Sequence, residues 1–209
     1  MSTAMQSAQD CGPDRLGGRL ALLAPEDLDG AQMQVYRVLE QMVVPEAAHD
    51  GFTVRLSDGR FIGPFNALLR VPELAAGLGR FTAEVTAAGL AEEVRQAVIL
   101  TVGAAWPAPY EIEAHRCAAR TAGVPEAAIE AIIRGEVPEG LGRQAATAQR
   151  LAAALMKQRE VPDELYHEAV DLFGEPGIIT VLCLIGQYQI ISSILVCFQV
   201  PVPDPETAS

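Results

Sequence analysis

The sequence predicts an all-helical domain, and three observations carry that reading. The 209 residues are 50% hydrophobic but only 5% aromatic, with alanine prominent in the apolar stretches, a composition suited to one helical domain with a sizeable core. No run of alternating apolar and polar residues marks a strand, and no segment recurs at a fixed period. Residues 91–123, AEEVRQAVILTVGAAWPAPYEIEAHRCAARTAG, read as two helices separated by Pro107 and Pro109, and proline is the residue that both ends a helix and opens the next one.

Within that stretch the first helix, 91–105, is apolar on most sides after Val94, so it belongs inside the fold; Gln96 is its one uncharged polar interruption. In the second helix, which Gly123 closes, Glu113, Arg116 and Arg120 fall on one stripe, the expected solvent side. Glu111, His115, Ala118, Ala119 and Ala122 fall on another, expected to face inward. The remaining elements follow from their start and stop signals. Residues 1–20 are expected to be loose and 21–203 to form a single domain. A helix over 28–42, preceded by Pro25, Glu26 and Asp27, carries Val35, Val38, Leu39 and Met42 as its apolar face. Residues 43–63, with Pro45, Gly51, Gly59 and Gly63, read as a long connection. A short helix starts at Gly63-Pro64 and the next at Pro72, running to about Ala88 before Gly89. Pro125 opens a helix to Ile133 with Ala128, Ile129 and Ile132 inward. Helices over 144–157 and 162–173 follow. Gly174 to Gly177 then reset the direction before a long apolar helix over 178–200, and the proline-marked 201–209, with the tail from 204, is expected to be extended.

Charge and cysteine usage narrow the function classes. Asp and Glu outnumber Lys and Arg 27 to 15, for a formal net charge of -12, which argues against nucleic-acid binding, whose affinity rests on cations against phosphate. Cys11, Cys117, Cys183 and Cys197 are far apart and form no Cys-x-x-Cys or metal-ligand spacing, so no metal site is expected and the thiols read as separate. Residues 1–15 are polar and lack an apolar signal core, which makes a reducing cytoplasm the expected setting. The apolar 178–200 stretch is interrupted by Gln187, Gln189, Ser192, Ser193 and Gln199 without flanking Lys or Arg anchors, so it reads as a buried helix rather than a membrane span. A helix apolar on nearly all sides is either the central helix of its domain or is covered partly by another subunit.

The residues that carry chemistry are Glu111 and His115, a carboxylate and an imidazole one turn apart on the inward stripe. Burying polar groups is costly without a reason. Two reasons stand open at this point: acid–base chemistry in a pocket, or a structural pair in which Glu111 satisfies His115. Trp106, the only tryptophan, sits at the break between the helices and either lines a pocket or packs in the core. Tyr110 and Tyr188 bring hydroxyls that reach the site or simply find a buried partner. Asn66 either caps its short helix or points at substrate. His49 and His167 have no ligand spacing and are expected on the surface.

Taken together, GPFNALLRVPELA at 63–75, VRQAVILTVGAAW at 94–106, YEIEAHRCAARTAGV at 110–124 and LIGQYQIISSILVCFQVPVP at 184–203 resemble the carboxymuconolactone decarboxylase family, which includes the alkyl hydroperoxidase D-like proteins. The resemblance spans roughly residues 24–203. It implies the all-α alkyl hydroperoxidase D-like fold and homo-oligomers, commonly homotrimers or homohexamers. In the family's peroxidase branch a Glu precedes a Cys-x-x-Cys pair that is followed by x-x-x-His. Counted back from His115, the two cysteine positions hold Glu111 and Ala108 and the upstream Glu position holds Gln96. Disulfide-based peroxide reduction requires a thiolate with a resolving partner, so this chain is similar to the branch lacking the Cys pair.

That similarity implies cofactor-free, metal-free proton transfer on a small-molecule substrate, an organic acid or lactone, by a lyase or isomerase. His115 would protonate developing enolate charge, with Glu111 orienting the imidazole or raising its pKa as a neighbouring anion. Gln96 would donate its amide N–H to the oxyanion. Trp106, Tyr110, Asn66 and Tyr188 are the expected substrate-binding residues. A thiol peroxidase-like antioxidant protein and a non-catalytic binding or assembly protein retaining the fold are the competing classes.

Overall fold

The structure, a computed structural model, describes residues 13–204. Eight α-helices follow two short 3-10 turns, Pro13–Gly17 and Pro25–Asp27. They are α1 (Gly30–His49), α2 (Pro64–Leu68), α3 (Pro72–Ala87), α4 (Glu92–Ala105), α5 (Pro109–Thr121), α6 (Glu126–Ile133), α7 (Arg143–Lys157) and α8 (Asp163–Phe198). Among the described residues there is no strand element, only one antiparallel bridge between Arg55 and Phe61. The predicted all-helical class is therefore the observed one. Pro64, Pro72 and Pro109 each sit in the first turn of their helix, where a missing N–H costs nothing.

The helix at the centre is α4. Val94 and the run from Gln96 to Gly103 are all buried, and α5, α6, α7 and α8 pack around it. An apolar helix has to be covered on every side, and here four neighbours do so. The main core joins Val98, Ile99 and Val102 of α4 with Ile129 and Ile132 of α6, Ala148 and Leu151 of α7, and Val181 and Leu184 of α8. A second core gathers Leu16, Leu56, Ile62, Tyr110, Leu195 and Val200. A third lies under α1, around Tyr36, Val54, Phe61 and Leu69.

Several boundaries and faces differ from the sequence reading. Helix α1 does not stop at Met42 but runs through Pro45 to His49. Proline removes one helical hydrogen bond and crowds the preceding turn, yet Val43, Val44 and Ala47 pack on the third core and hold the last turns in place. A capping box starts the helix, with Asp29 accepting from the N–H groups of Ala31 and Gln32 and Gln32 accepting from that of Asp29. Its buried residue is Tyr36, so Val35 and Leu39 turn inward while Val38 and Met42 face solvent.

Residues 13–20, expected to be loose, are tied down: Leu16 is buried and the Arg19 N–H donates to the Phe198 carbonyl at 2.7 Å. Residues 1–12 and 205–209 lie outside the described residues, and with them Cys11 and most of the expected extended tail. The direction change in α8 falls at Gly174, whose φ of 64° and ψ of 170° break the helix in a region open to glycine. Beyond the break the last helical stretch flanks α4 and α7 rather than forming the domain's centre. Helix α8 has the length and apolar composition to cross a bilayer, with 33% of its most apolar window buried within the chain.

Candidate functional site

Glu111 sits in the first turn of α5, where the helix dipole favours a carboxylate. It is nevertheless only 3% exposed. One turn on, His115 faces α4, and its Nδ1 meets Gln96 Oε1 at 2.8 Å. Gln96 in turn donates its amide N–H to Glu92 Oε1 at 2.6 Å. This chain of contacts sets the tautomer. A carboxylate only accepts, so the NH₂ of Gln96 faces Glu92, its carbonyl faces His115, and Nδ1 carries the imidazole proton. His115 Nε2 is then a bare acceptor, 3.3 Å from Glu111 Oε1.

Electrostatics reverse the expected charge pattern. Burial disfavours both charged forms, pushing the Glu111 carboxyl up to about 8 and the His115 imidazole below its ordinary range, helped by the positive charge of Arg95. At neutral pH the pair is a carboxylic acid facing a neutral imidazole, not a carboxylate holding an imidazolium. The expectation that Glu111 raises the pKa of His115 is overturned, because desolvation outweighs a partner that is itself uncharged. The approach is close but not aligned as a hydrogen bond, and Glu111 Oε1 has no hydrogen-bond partner. Gln96 has a positioning role that its sequence context did not show. One N–H of its amide is taken by Glu92 and its carbonyl by His115, so it positions the imidazole, and the second N–H is the donor it has left.

The other named residues divide. Tyr188 joins the pair, its ring edge-to-face with His115 at 5.0 Å and 87°. Tyr110, next to Glu111 in sequence, turns the other way into the second core. Its ring stacks edge-on against Phe52 at 5.2 Å and presses on Gly63, where a Cβ would lie 2.4 Å from the phenol. Its hydroxyl is buried without a partner. Asn66 neither caps α2 nor has a free amide: its Oδ1 accepts from the Leu23 N–H and Arg70, and its Nδ2 donates to the Ala21 carbonyl. Trp106 packs between the two larger cores and also lines a surface groove of about 640 Å³ with Met156, Arg159, Leu182, Ile185 and Gln189. Neither Glu111 nor His115 lines that groove. His49 and His167 are exposed.

The charged stripe of α5 is on the solvent side, as expected, with Arg120 exposed and Glu113 and Arg116 half-buried, and it also carries ion pairs to α6. Arg116 pairs with Glu113, Glu126 and Glu130, and Arg120 with Glu126, which fastens α5 to α6. Cys117, beside it, has its thiol pushed up by burial and by Glu113, the opposite of an activated nucleophile. Cys117, Cys183 and Cys197 are all free thiols, and among the described residues no group of three metal-ligating side chains is gathered.

Arg95 is the neighbour that sequence reasoning passed over. At i and i+3 with Glu92 it reads as an ordinary surface pair, yet its side chain is only 15% exposed and its Nη1 reaches Glu92 Oε2 at 3.5 Å. The signal available beforehand was a cation in the first turns of an otherwise buried helix, where the dipole disfavours it.

No known family's sequence profile matches the chain, and no characterised protein matches it in sequence. One solved structure does match in fold: the alkylhydroperoxidase AhpD core of an uncharacterized peroxidase-related protein from Ralstonia eutropha, with a TM-score of 0.67, 12% identity, and coverage of 89% of this chain and 92% of that one. At that identity the likeness is one of fold, and the chain has the all-α AhpD-like fold.

Proposed function

We propose that this chain is a cofactor-free lyase or isomerase that moves a proton at a carbon beside a carbonyl, on a small organic acid or lactone. The observation that carries the reading is the buried Glu111–His115 pair, a carboxylic acid kept protonated near neutral pH with a bare imidazole nitrogen 3.3 Å away. A structural pair needs a satisfied hydrogen bond, whereas Glu111 Oε1 lacks one. Catalytic contacts are often long before substrate binds and tighten in the complex. Loss of CO₂ from a β-keto acid, or of a proton beside a lactone carbonyl, leaves an enolate. After decarboxylation its carbon takes the proton held by Glu111, directly or across His115 Nε2, and the carboxylate so formed is reprotonated from solvent. In isomerisation the bare Nε2 of His115 takes the proton from the carbon beside the carbonyl, Glu111 delivers its own at the new position, and the imidazolium returns a proton to the Glu111 carboxylate.

The test is a screen of lactones and β-keto acids in D₂O, following deuterium at the carbon beside the carbonyl. His115→Ala is expected to lower turnover by about two to four orders of magnitude and Glu111→Gln to lower it as well, because the amide has no acidic proton. A His115→Ala protein that stays folded and keeps full activity would remove the assignment.

The peroxide-reducing alternative has less support: Ala108 and Glu111 stand at the positions of the Cys pair, and Cys117 has a raised pKa. We further propose a homotrimer or homohexamer in a cytoplasmic setting. Support for the assembly comes from the outward side of α8, where Ile179, Leu182, Ile190 and Val196 are exposed.

A further inference from the structure

Arg95 has one edge of its guanidinium engaged and another idle. Nη1 points at Glu92 Oε2, and the other oxygen of Glu92 is already held by Gln96. The Nε–H is shielded from solvent and meets no acceptor. In a guanidinium, Nε–H and the neighbouring Nη2–H project in parallel, and this edge grips a carboxylate with two hydrogen bonds. A buried, charged donor without an acceptor is rare in a folded protein and calls for an explanation.

The position of this edge supplies one. Glu92 links the guanidinium to the pair: its Oε2 faces Arg95 Nη1, its Oε1 accepts from the Gln96 amide, and Gln96 Oε1 meets His115 Nδ1, so the guanidinium shares the surroundings of His115. Side-chain exposure falls from 19% at His115 and 15% at Arg95 to 4% at Glu111. The cation and the imidazole are thus the parts of the site that reach solvent, and the acid lies beneath them.

We propose that Arg95 is the carboxylate anchor of this site: its Nε–Nη2 edge takes a carboxylate side-on and sets the adjoining carbon against His115 and Glu111. The inference rests on the proton-transfer reading and narrows its substrates to those bearing a carboxylate that survives the reaction. Arg95 then selects acids over their esters and amides. Gln96 next to it holds the imidazole, so one turn of α4 both binds and orients.

The experiment uses acetate and formate as probes, with acetamide and formamide as neutral counterparts. The arginine Nε–H signals of the ¹⁵N-labelled protein are followed, that of Arg95 being identified by its loss in Arg95→Lys. The acids are expected to move the Arg95 signal saturably and the amides to leave it in place. Arg95→Gln should weaken acetate binding, read on the His115 ring signals, by about tenfold or more. Arg95→Lys should recover only part of it, since it keeps the charge but not the fork. No saturable response of the Arg95 signal to either acid overturns the proposal. So does unchanged acetate affinity in an Arg95→Gln protein of unchanged melting temperature. Because binding is read without turnover, the two readings fail separately. Acetate held by Arg95 with no acid turned over sinks the proton-transfer reading alone. Turnover whose KM for acids ignores Arg95→Gln sinks the anchor alone.

Discussion

A carboxylic acid and an imidazole taken out of water together have two ways to settle: exchange a proton and become an ion pair, or stay neutral. For Glu111 and His115 the neutral state wins, since each charged form loses its hydration and their contact is not aligned to return it. This has a consequence for stability. The folded Glu111 pKa of about 8 lies above the ordinary 4.5, so between those values the native chain binds more protons than the unfolded one, and stability falls as pH rises. His115 is shifted below 6.5, so between its folded value and 6.5 the native chain binds fewer protons, and stability rises with pH. From about 4.5 to 6.5 the two slopes oppose each other. Above 6.5 only Glu111 acts, and the expected loss is up to about 1.4 kcal/mol per pH unit until about pH 8. Denaturant melts at pH 6.5, 7.25 and 8 check this, and Glu111→Gln should flatten the decline over that window; an unchanged slope in that variant means Glu111 is ionised in the native state. The position of the pair was legible from its i, i+4 spacing on an alanine stripe. Its charge state was not, because desolvation depends on what α4 and α8 place over it.

At the scale of elements, prolines and glycines made the helix order readable, while pairing partners and exact faces stayed hidden. The α1 boundary was misread because Pro45 is a local signal, and the packing of Val43, Val44 and Ala47 that overrides it is tertiary. The α5 charged stripe was legible as the solvent side, but its ion pairs were not, because the partners Glu126 and Glu130 lie on another helix. Asn66 is the sharpest case. A buried amide on α2 reaches back over 40 residues to Ala21 and Leu23 and, with Arg70, fastens the segment before α1. Asn66→Ala should destabilise the protein by about 1–3 kcal/mol, the cost of leaving the half-buried Leu23 N–H and Arg70 without their side-chain acceptor. Hydrogen exchange at the Leu23 amide should quicken, while acid–base activity should be affected far less than in His115→Ala. Loss of activity on the His115→Ala scale in a folded Asn66→Ala protein would return Asn66 to the substrate side. A second element test is Gly63→Ala: with φ at 67° and Tyr110 pressed against it, the added methyl should cost about 1–3 kcal/mol and lower the melting temperature.

For the whole molecule, the apolar length of α8 has to be accounted for once α4 has taken the central place. Residues 177–198 carry no charge, and one side of the helix packs on α4 and α7. Ile179, Leu182, Ile190 and Val196, with Gly186 and Ser193 among them, fall within an arc of about 120° at 100° per residue. Their exposures of 59%, 42%, 48% and 40% make a continuous apolar strip, a feature that marks contact surfaces in soluble proteins. The strip runs into the groove beside Trp106, because Leu182 and Gly186 belong to both. A second copy seated there would close the groove and remove the strip from water. Ile190→Asp places a charge in the middle of the strip without touching a residue of the Glu111–His115 pair, so it should shift the assembly toward monomers while leaving the helical content intact. Light scattering together with circular dichroism reads both. A wild-type chain that scatters as a monomer at micromolar concentration rules out the assembly, and an Ile190→Asp protein that keeps the wild-type mass places the contact on another face.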